Sequence, residues 1–306
     1  MADYQLQIPK LFHVSGKVAL ITGGGSGLVR LRSRFLGRSG SRPNDEVEGM
    51  QGEMMATALV QNGAKVYIAS RKEKQLKEVA DRLTSAGPGS CEYLVADVGS
   101  KAGCDALVEK IKQKTDKLHI LINNSGTTWG AKLTDFPERE GWDRVLATNV
   151  KAIFYLTSGL SQLLSADATS TDPGRVVNIS SIAGLDPQAD NSLLSEPGQG
   201  LWSYNASKAA ANHLTKSLAV TLGTKLVTVN AICPGVYPTK MTKHGFAHGE
   251  DQIKKVHPMG RPGAPEDIAG LMLFLVSRAG AHISGALIPT DGGSLVAGGR
   301  GGYARL

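Results

Sequence analysis

The sequence predicts a single α/β domain over residues 1–306, a doubly wound parallel sheet of about seven strands with helices on both faces. Three observations carry this expectation. Short β-branched runs recur along the chain, segments of helical periodicity separate them, and a glycine-rich turn follows the first run. Length and composition agree, since 306 residues at 41% hydrophobic and 20% charged suffice for one large core and exclude collagen, a disulfide scaffold and wholesale disorder. Glycine is the outlier, 37 residues or about 12%. The usual share is about 7%, so the excess points to tight turns or close backbone approaches to a ligand.

In chain order the runs are Val18–Thr22, 66–69, 93–96, Ile120–Asn123, 176–180, 227–232 and 286–289. They are short apolar stretches, as expected of strands covered on both faces. Between them Met55, Leu59 and Val60, then Leu76, Val79, Ala80 and Leu83, fall at helical spacing, so each strand crosses to the next through a helix. Residues 29–51, VRLRSRFLGRSGSRPNDEVEGMQ, fit neither element, being polar and turn-rich between a strand and its expected helix.

The net charge of +7 is spread along the chain and aromatics make up only 5%, which gives no nucleic-acid footprint. Cys91, Cys104 and Cys233 lack paired spacing and predict buried, reduced thiols in an intracellular compartment. Residues 1–16 carry no secretory pattern and no run of 18 apolar residues occurs, so a soluble protein without a membrane partner is expected. His244, His248 and His257 hint at a metal, but Gly245 and Gly249 favour a solvated loop, and no metal is expected.

The first strand runs into Thr22, Gly23, Gly24, Gly25, Ser26, Gly27 and Leu28, a turn through which backbone amides and a helix N-terminus approach a pyrophosphate. After the second strand, where a carboxylate often takes a ribose 2′-hydroxyl, stand Ser70, Arg71 and Lys72. Arg71 suits a 2′-phosphate, so NADP(H) is expected over NAD(H). Tyr204 and Lys208, four residues apart, share one helix face.

Together with Ala96-Asp97-Val98, Asn123-Asn124-Ser125-Gly126, Thr148-Asn149-Val150, Ser180-Ser181-Ile182-Ala183-Gly184, Pro234-Gly235 with Thr239, and Thr290-Asp291-Gly292-Gly293, these motifs resemble the short-chain dehydrogenase/reductase family. The resemblance spans roughly residues 15–293 outside 29–51. It implies a Rossmann-type fold in which Thr22, Gly23, Ser26, Gly27, Leu28, Arg71, Asp97, Val98, Asn124, Ser125, Gly126, Tyr204, Lys208, Pro234, Gly235 and Thr239 hold the cofactor. It further implies that Tyr204 donates a proton with its pKa lowered by Lys208, and that Lys208 also binds the nicotinamide ribose. Ser181 would hold the substrate oxygen and Asn149 would maintain a water relay to Lys208. Ser180 reads as a strand-end hydrogen bonder. The family also implies a homodimer or homotetramer through the helices bearing Asn149 and Tyr204.

Two positions depart from the family pattern: Ser125 replaces an alanine, and Val29 stands where the last glycine of the loop belongs. Removing 29–51 joins TGGGSGL to GEMMATALVQNGAKVYIASR, which restores that glycine as Gly52 and gives one amphipathic helix. These 23 residues correspond to 69 in-frame nucleotides whose ends can read GT and CAG, with Pro43-Asn44 able to encode a branch site, as a translated retained intron would. The competing reading is a genuine surface loop, whose closure costs roughly 3 kcal/mol plus a constant. Either way the segment is expected to part the glycine turn from its helix and weaken cofactor binding.

Residues 126–145, 234–244 and 257–269 narrow the likeness to NADPH-dependent 3-oxoacyl reductases of the rhamnolipid-biosynthesis type, implying small carbonyl or acyl-thioester substrates on acyl carrier protein or CoA. The alternatives are a reductase of polyols, steroids or xenobiotic carbonyls, or a cofactor-binding protein inactivated by the insert. Trp129, Trp202, Tyr237 and Met241 read equally as pocket lining or core, and residues 185–202 should rim the site. The glycine-rich tail 294–306 ends in Ala304-Arg305-Leu306, a variant of the Ser-Lys-Leu address, so a cytosolic or peroxisomal location is expected.

Overall fold

The computed structural model describes residues 6–24, 31–32, 46–47, 51–190, 195, 198–238 and 257–297. Seven strands form one parallel sheet: β1 (Val18–Thr22), β2 (Lys65–Ser70), β3 (Ser90–Val95), β4 (Ile120–Asn123), β5 (Gly174–Ile179), β6 (Val227–Pro234) and β7 (Leu287–Thr290). Their order across the sheet is β3-β2-β1-β4-β5-β6-β7, so the winding reverses between β1 and β4. At such a reversal the carboxyl ends of the strands open a crevice for a ligand. Leu31–Arg32 and Glu46–Val47 pair separately, antiparallel.

Among the described residues the sheet is covered chiefly by six helices: α1 (Gln51–Gln61), α2 (Glu73–Ser85), α3 (Lys101–Lys112), α4 (138–159), α5 (Trp202–Gly223) and α6 (Pro265–Val276). Successive strand residues point to opposite faces, which sorts the core into two layers. Ile21, Ile68 and Ile122 pack with Met55, Leu59, Leu76 and Met272 of α1, α2 and α6. Leu20, Tyr67 and Leu121 pack with Leu107, Ile111, Leu156 and Leu218 of α3, α4 and α5.

Boundaries shift modestly from the sequence expectation. β3 begins at Ser90, three residues early, because the edge position lets Glu92 face solvent between Lys65 and Lys114 while the strand still pairs with β2. Helix α4 is not a plain α-helix: π-helical turns at Glu138–Asp143 and Ala147–Lys151 flank the α-helical residues Arg144–Leu146. Such widened turns commonly mark functional positions. All three cysteines are buried and free. Among the described residues no helix is long and apolar enough to cross a membrane.

Candidate active site

The carboxyl ends of β1 and β4 are clamped together at the winding reversal. The Thr22 Oγ1 accepts from the backbone amides of Asn124 at 3.1 Å and Ser125 at 3.0 Å, and the Asn124 Nδ2 donates to the Thr22 carbonyl at 3.0 Å. Gly23 follows at φ +73°, a conformation that L side chains rarely adopt. A Cβ on Gly52, in the first turn of α1, would lie 2.5 Å from the Asn124 Nδ2, 2.9 Å from the Gly23 carbonyl and 3.1 Å from the Gly24 Cα. The N-terminus of α1 therefore abuts the glycine turn, although residues 25–50 intervene in sequence. This corrects the expectation that the segment parts turn from helix. The buried face of Met54, Met55, Leu59 and Val60 holds α1 in place independently of its connection. Ser26, Gly27 and Leu28 lie outside the described residues.

Around this cradle stand the other expected cofactor residues. Arg71, just past β2, is exposed and makes no ion pair among the described residues, and the Ser70 hydroxyl beside it is buried without a hydrogen-bond partner. Both features suit an incoming anion. Asp97 accepts from the Gly99 amide at 2.9 Å, and Val98 is buried beside it. Pro234 ends β6, and Gly235 donates to the Thr290 carbonyl at 3.1 Å, so close to Asp291 that a Cβ would lie 2.7 Å from that residue's own. Thr239 lies outside the described residues.

Past β5, Ser181 caps a short 3₁₀ turn at Ile182–Gly184, its Oγ accepting from the Ala183 amide at 3.1 Å. Ser180 behaves as a strand-end hydrogen bonder: its amide donates to the Ile232 carbonyl at 2.8 Å and its hydroxyl to the Lys208 carbonyl at 3.3 Å. Helix α5 brings Tyr204 and Lys208 to the same place, with the Lys208 Nζ 5.6 Å from the Tyr204 ring centre. Burial pushes the Tyr204 phenol above its ordinary value, and the Ser181 hydroxyl opposes that rise. The lowering of Tyr204 expected from Lys208 is thus not found. Instead burial brings the Lys208 ammonium itself down to about 8, while its Nζ donates to the Ile179 carbonyl at 2.8 Å.

Asn149 sits in the second π-helical stretch of α4, 1% exposed. Its Oδ1 accepts from the Thr127 amide at 2.9 Å, and its Nδ2 donates to the Thr127 carbonyl and the Ser207 hydroxyl, each at 2.9 Å. It thereby fixes the segment after β4 against α5. A Cβ on Gly126 would stand 3.5 Å from the Asn149 Oδ1 and 3.7 Å from the Lys208 Nζ, between the two.

Of the aromatic candidates, Tyr237 is core: it is 1% exposed, with its hydroxyl 2.7 Å from the Thr290 Oγ1. Trp129 packs under the Arg144 guanidinium, 5.2 Å away, and Trp202 lies against Gly200. Met241, His244, His248 and residues 304–306 lie outside the described residues, and His257 is buried. Among the described residues no three His, Cys, Asp or Glu are grouped to hold a metal.

Sequence reasoning missed the support behind the site. Asn123 donates to Asn178 at 2.9 Å and Thr157 at 3.2 Å, and Asn178 donates to Thr215 at 2.9 Å, tying β4 and β5 to α4 and α5. Polar residues inside otherwise apolar strands were the available signal, because buried amides require partners.

A fold of this order, with a glycine cradle at the winding reversal and a Ser-Tyr-Lys set beside it, defines a class of nucleotide-dependent oxidoreductases, and the chain belongs to the short-chain dehydrogenase/reductase family. Residues 49–294 match the family described as enoyl-(acyl carrier protein) reductase, a match that begins just before α1. The chain is 34% identical over 285 residues to the rhamnolipids biosynthesis 3-oxoacyl-[acyl-carrier-protein] reductase of Pseudomonas aeruginosa, covering 92% of this chain and 97% of that one. The Pseudomonas aeruginosa RhlG/NADP active-site complex superposes with a TM-score of 0.77 at 34% identity, covering 93% of this chain and 98% of that one. The NAD-dependent glycerol dehydrogenase of Listeria innocua is 32% identical over 289 residues, 93% of this chain and 96% of that one.

Proposed function

We propose that the protein is an NADPH-dependent carbonyl reductase whose leading substrates are 3-oxoacyl thioesters of acyl carrier protein or CoA. The observation that carries the reading is the convergence of Ser181, Tyr204 and Lys208 beside the cradle of Gly23, Gly24 and Gly52. The relative from Pseudomonas aeruginosa supports the thioester, and the NADP complex of RhlG supports the cofactor. Arg71 and the Ser70 hydroxyl would take a 2′-phosphate, the first turn of α1 the pyrophosphate, Asp97 and Val98 the adenine, and Lys208 the nicotinamide ribose. When bound, the dinucleotide supplies hydride to the carbonyl carbon. Ser181 donates a hydrogen bond to the carbonyl oxygen, and Tyr204, whose raised pKa keeps it protonated at neutral pH, gives that oxygen its proton as charge develops there. Asn149 acts by holding Thr127 against Ser207, on the helix that carries Tyr204.

Residues 29–51 are read as an addition to a fold that closes without them, since Gly52 already meets Gly23 and Gly24. The C-terminal Ala304-Arg305-Leu306 supports a peroxisomal matrix location, with the cytosol as the alternative. Exposed Phe154 on α4 and Val220 on α5 support a homodimer or homotetramer, to be checked by sedimentation of the full chain against a F154E variant. The glycerol dehydrogenase relative keeps a second reading open, a reductase or dehydrogenase of other carbonyls and alcohols. The deciding experiment compares NADPH oxidation by the full chain and by the chain lacking 29–51 on a medium-chain 3-oxoacyl-CoA, with NADH in place of NADPH as one control and reduction of NAD+ or NADP+ by glycerol as the other. Turnover with NADPH on the thioester supports the reading. Turnover only on glycerol, or on nothing, overturns it, and equal activity of the two chains shows that the insert does not impair the enzyme.

A further inference from the structure

Three segments that border the carbonyl site are stitched together by contacts that neither catalysis nor cofactor binding requires. Gly200 pairs with Ala131, its amide donating to the Ala131 carbonyl at 2.9 Å and its carbonyl accepting from the Ala131 amide at 3.3 Å, and it also bridges to Asp190. The Leu201 amide donates to the Ala189 carbonyl at 2.8 Å. Asn205, the residue after Tyr204, donates through its Nδ2 to the Gln188 carbonyl at 3.0 Å and the Asp186 carbonyl at 3.4 Å. The chain that leaves Ser181 is thus returned to the first turn of the Tyr204 helix. Space at Gly200 enforces the closure, because a Cβ there would lie 2.5–2.7 Å from the Trp202 indole.

We propose that Asn205 is a positioning residue that holds this strap, meaning residues 186–190 and 200–201, and thereby sets the width of the acyl side of the site, selecting for extended 3-oxoacyl chains over small carbonyls. The inference rests on the reductase reading above. Its chemistry is simple: two backbone carbonyls of the strap share one side-chain amide, and the helix that carries that amide also carries the proton donor. Displacing the strap moves the wall that an acyl chain would touch while leaving Ser181, Tyr204 and Lys208 on their own elements. A small diketone would not reach that wall.

The test compares the full chain with N205A and with N205D, which keeps the side-chain shape but presents no donor to the two carbonyls. Two readouts are taken: amide hydrogen exchange at Gln188, Gly200 and Leu201, and kcat and KM for a ten-carbon 3-oxoacyl-CoA and for 2,3-butanedione. Both variants should speed exchange at those amides at least tenfold and raise KM for the thioester about tenfold with kcat within twofold, leaving KM for butanedione unchanged. Unchanged exchange in either variant overturns the tether. Faster exchange with an unchanged thioester KM, or an equal KM rise on both substrates, overturns the specificity role. If the parent chain reduces butanedione but not the thioester, the substrate assignment fails and the selection for acyl chains fails with it. If it reduces neither, the reductase reading has failed, and exchange still decides whether Asn205 holds the strap.

Discussion

Tyr204 and Lys208 show how a fold tunes two ordinary side chains by burial. Desolvation penalises the charged form, so it raises the phenol and lowers the ammonium, in opposite directions from one cause. Removing the phenol in Y204F should lower kcat about 100- to 10,000-fold, the usual worth of a positioned acid. NADPH affinity, measured by fluorescence titration, should stay within a few-fold. Lys208 titrates near pH 8, below its ordinary 10.5, so its charge is fully present well below 8 and lost as pH rises through that value. NADPH affinity of the free protein should therefore begin to weaken above about pH 8, and K208M should show weak binding with no such inflection. An unchanged inflection in K208M would assign the titration to another group.

At the scale of elements, the sheet and its helices were legible in the sequence because strand runs covered on both faces are short and apolar, and helices with one buried face repeat every three or four residues. The order of strands and the clustering of Ser181, Tyr204 and Lys208 were legible only through family resemblance, since spacing alone places two of those three on one helix face. The widened turns of α4 left no periodic trace, because Val145 between them and Ile153 after them stay buried at apolar positions. The junction of Gly24 and Gly52 was half legible: the missing glycine was visible, but that α1 would sit against the turn with the insert still in place was not. Its consequence is local to α1. A side chain at Gly52 must displace Asn124 or the Gly23 carbonyl, and overpacking of that kind costs about 1–3 kcal/mol. G52V should raise the Kd for NADPH at least about tenfold while changing urea-unfolding cooperativity little, which binding titration and denaturation together would read.

Across the whole molecule, the opposite end of the sheet is held by charge and hydrogen bonding. Lys17 pairs with Asp172 at 2.7 Å, the Arg175 guanidinium donates to the Ser277 carbonyl at 3.0 Å, and the His119 Nδ1 accepts from the Val18 amide at 3.0 Å. Acceptance requires neutral imidazole, and burial together with Lys17 and Lys117 brings His119 down to about 4. Because this lies below the unfolded value of about 6.5, its contribution is complete above pH 6.5 and is lost as pH falls toward 4. Acid titration of chemical stability should show a loss over that range, flattened in H119Q. The junction at Gly24 and Gly52 also bears on how the chain reaches this state. A β1-α1-β2 unit is normally among the most local parts of such a sheet, but here 26 residues separate the turn from the helix. Lengthening a closure from about three residues to that span adds roughly 2 kcal/mol of chain entropy before α1 can dock. Docking of α1 during refolding is then expected to be slower in the full chain than in the chain lacking 29–51.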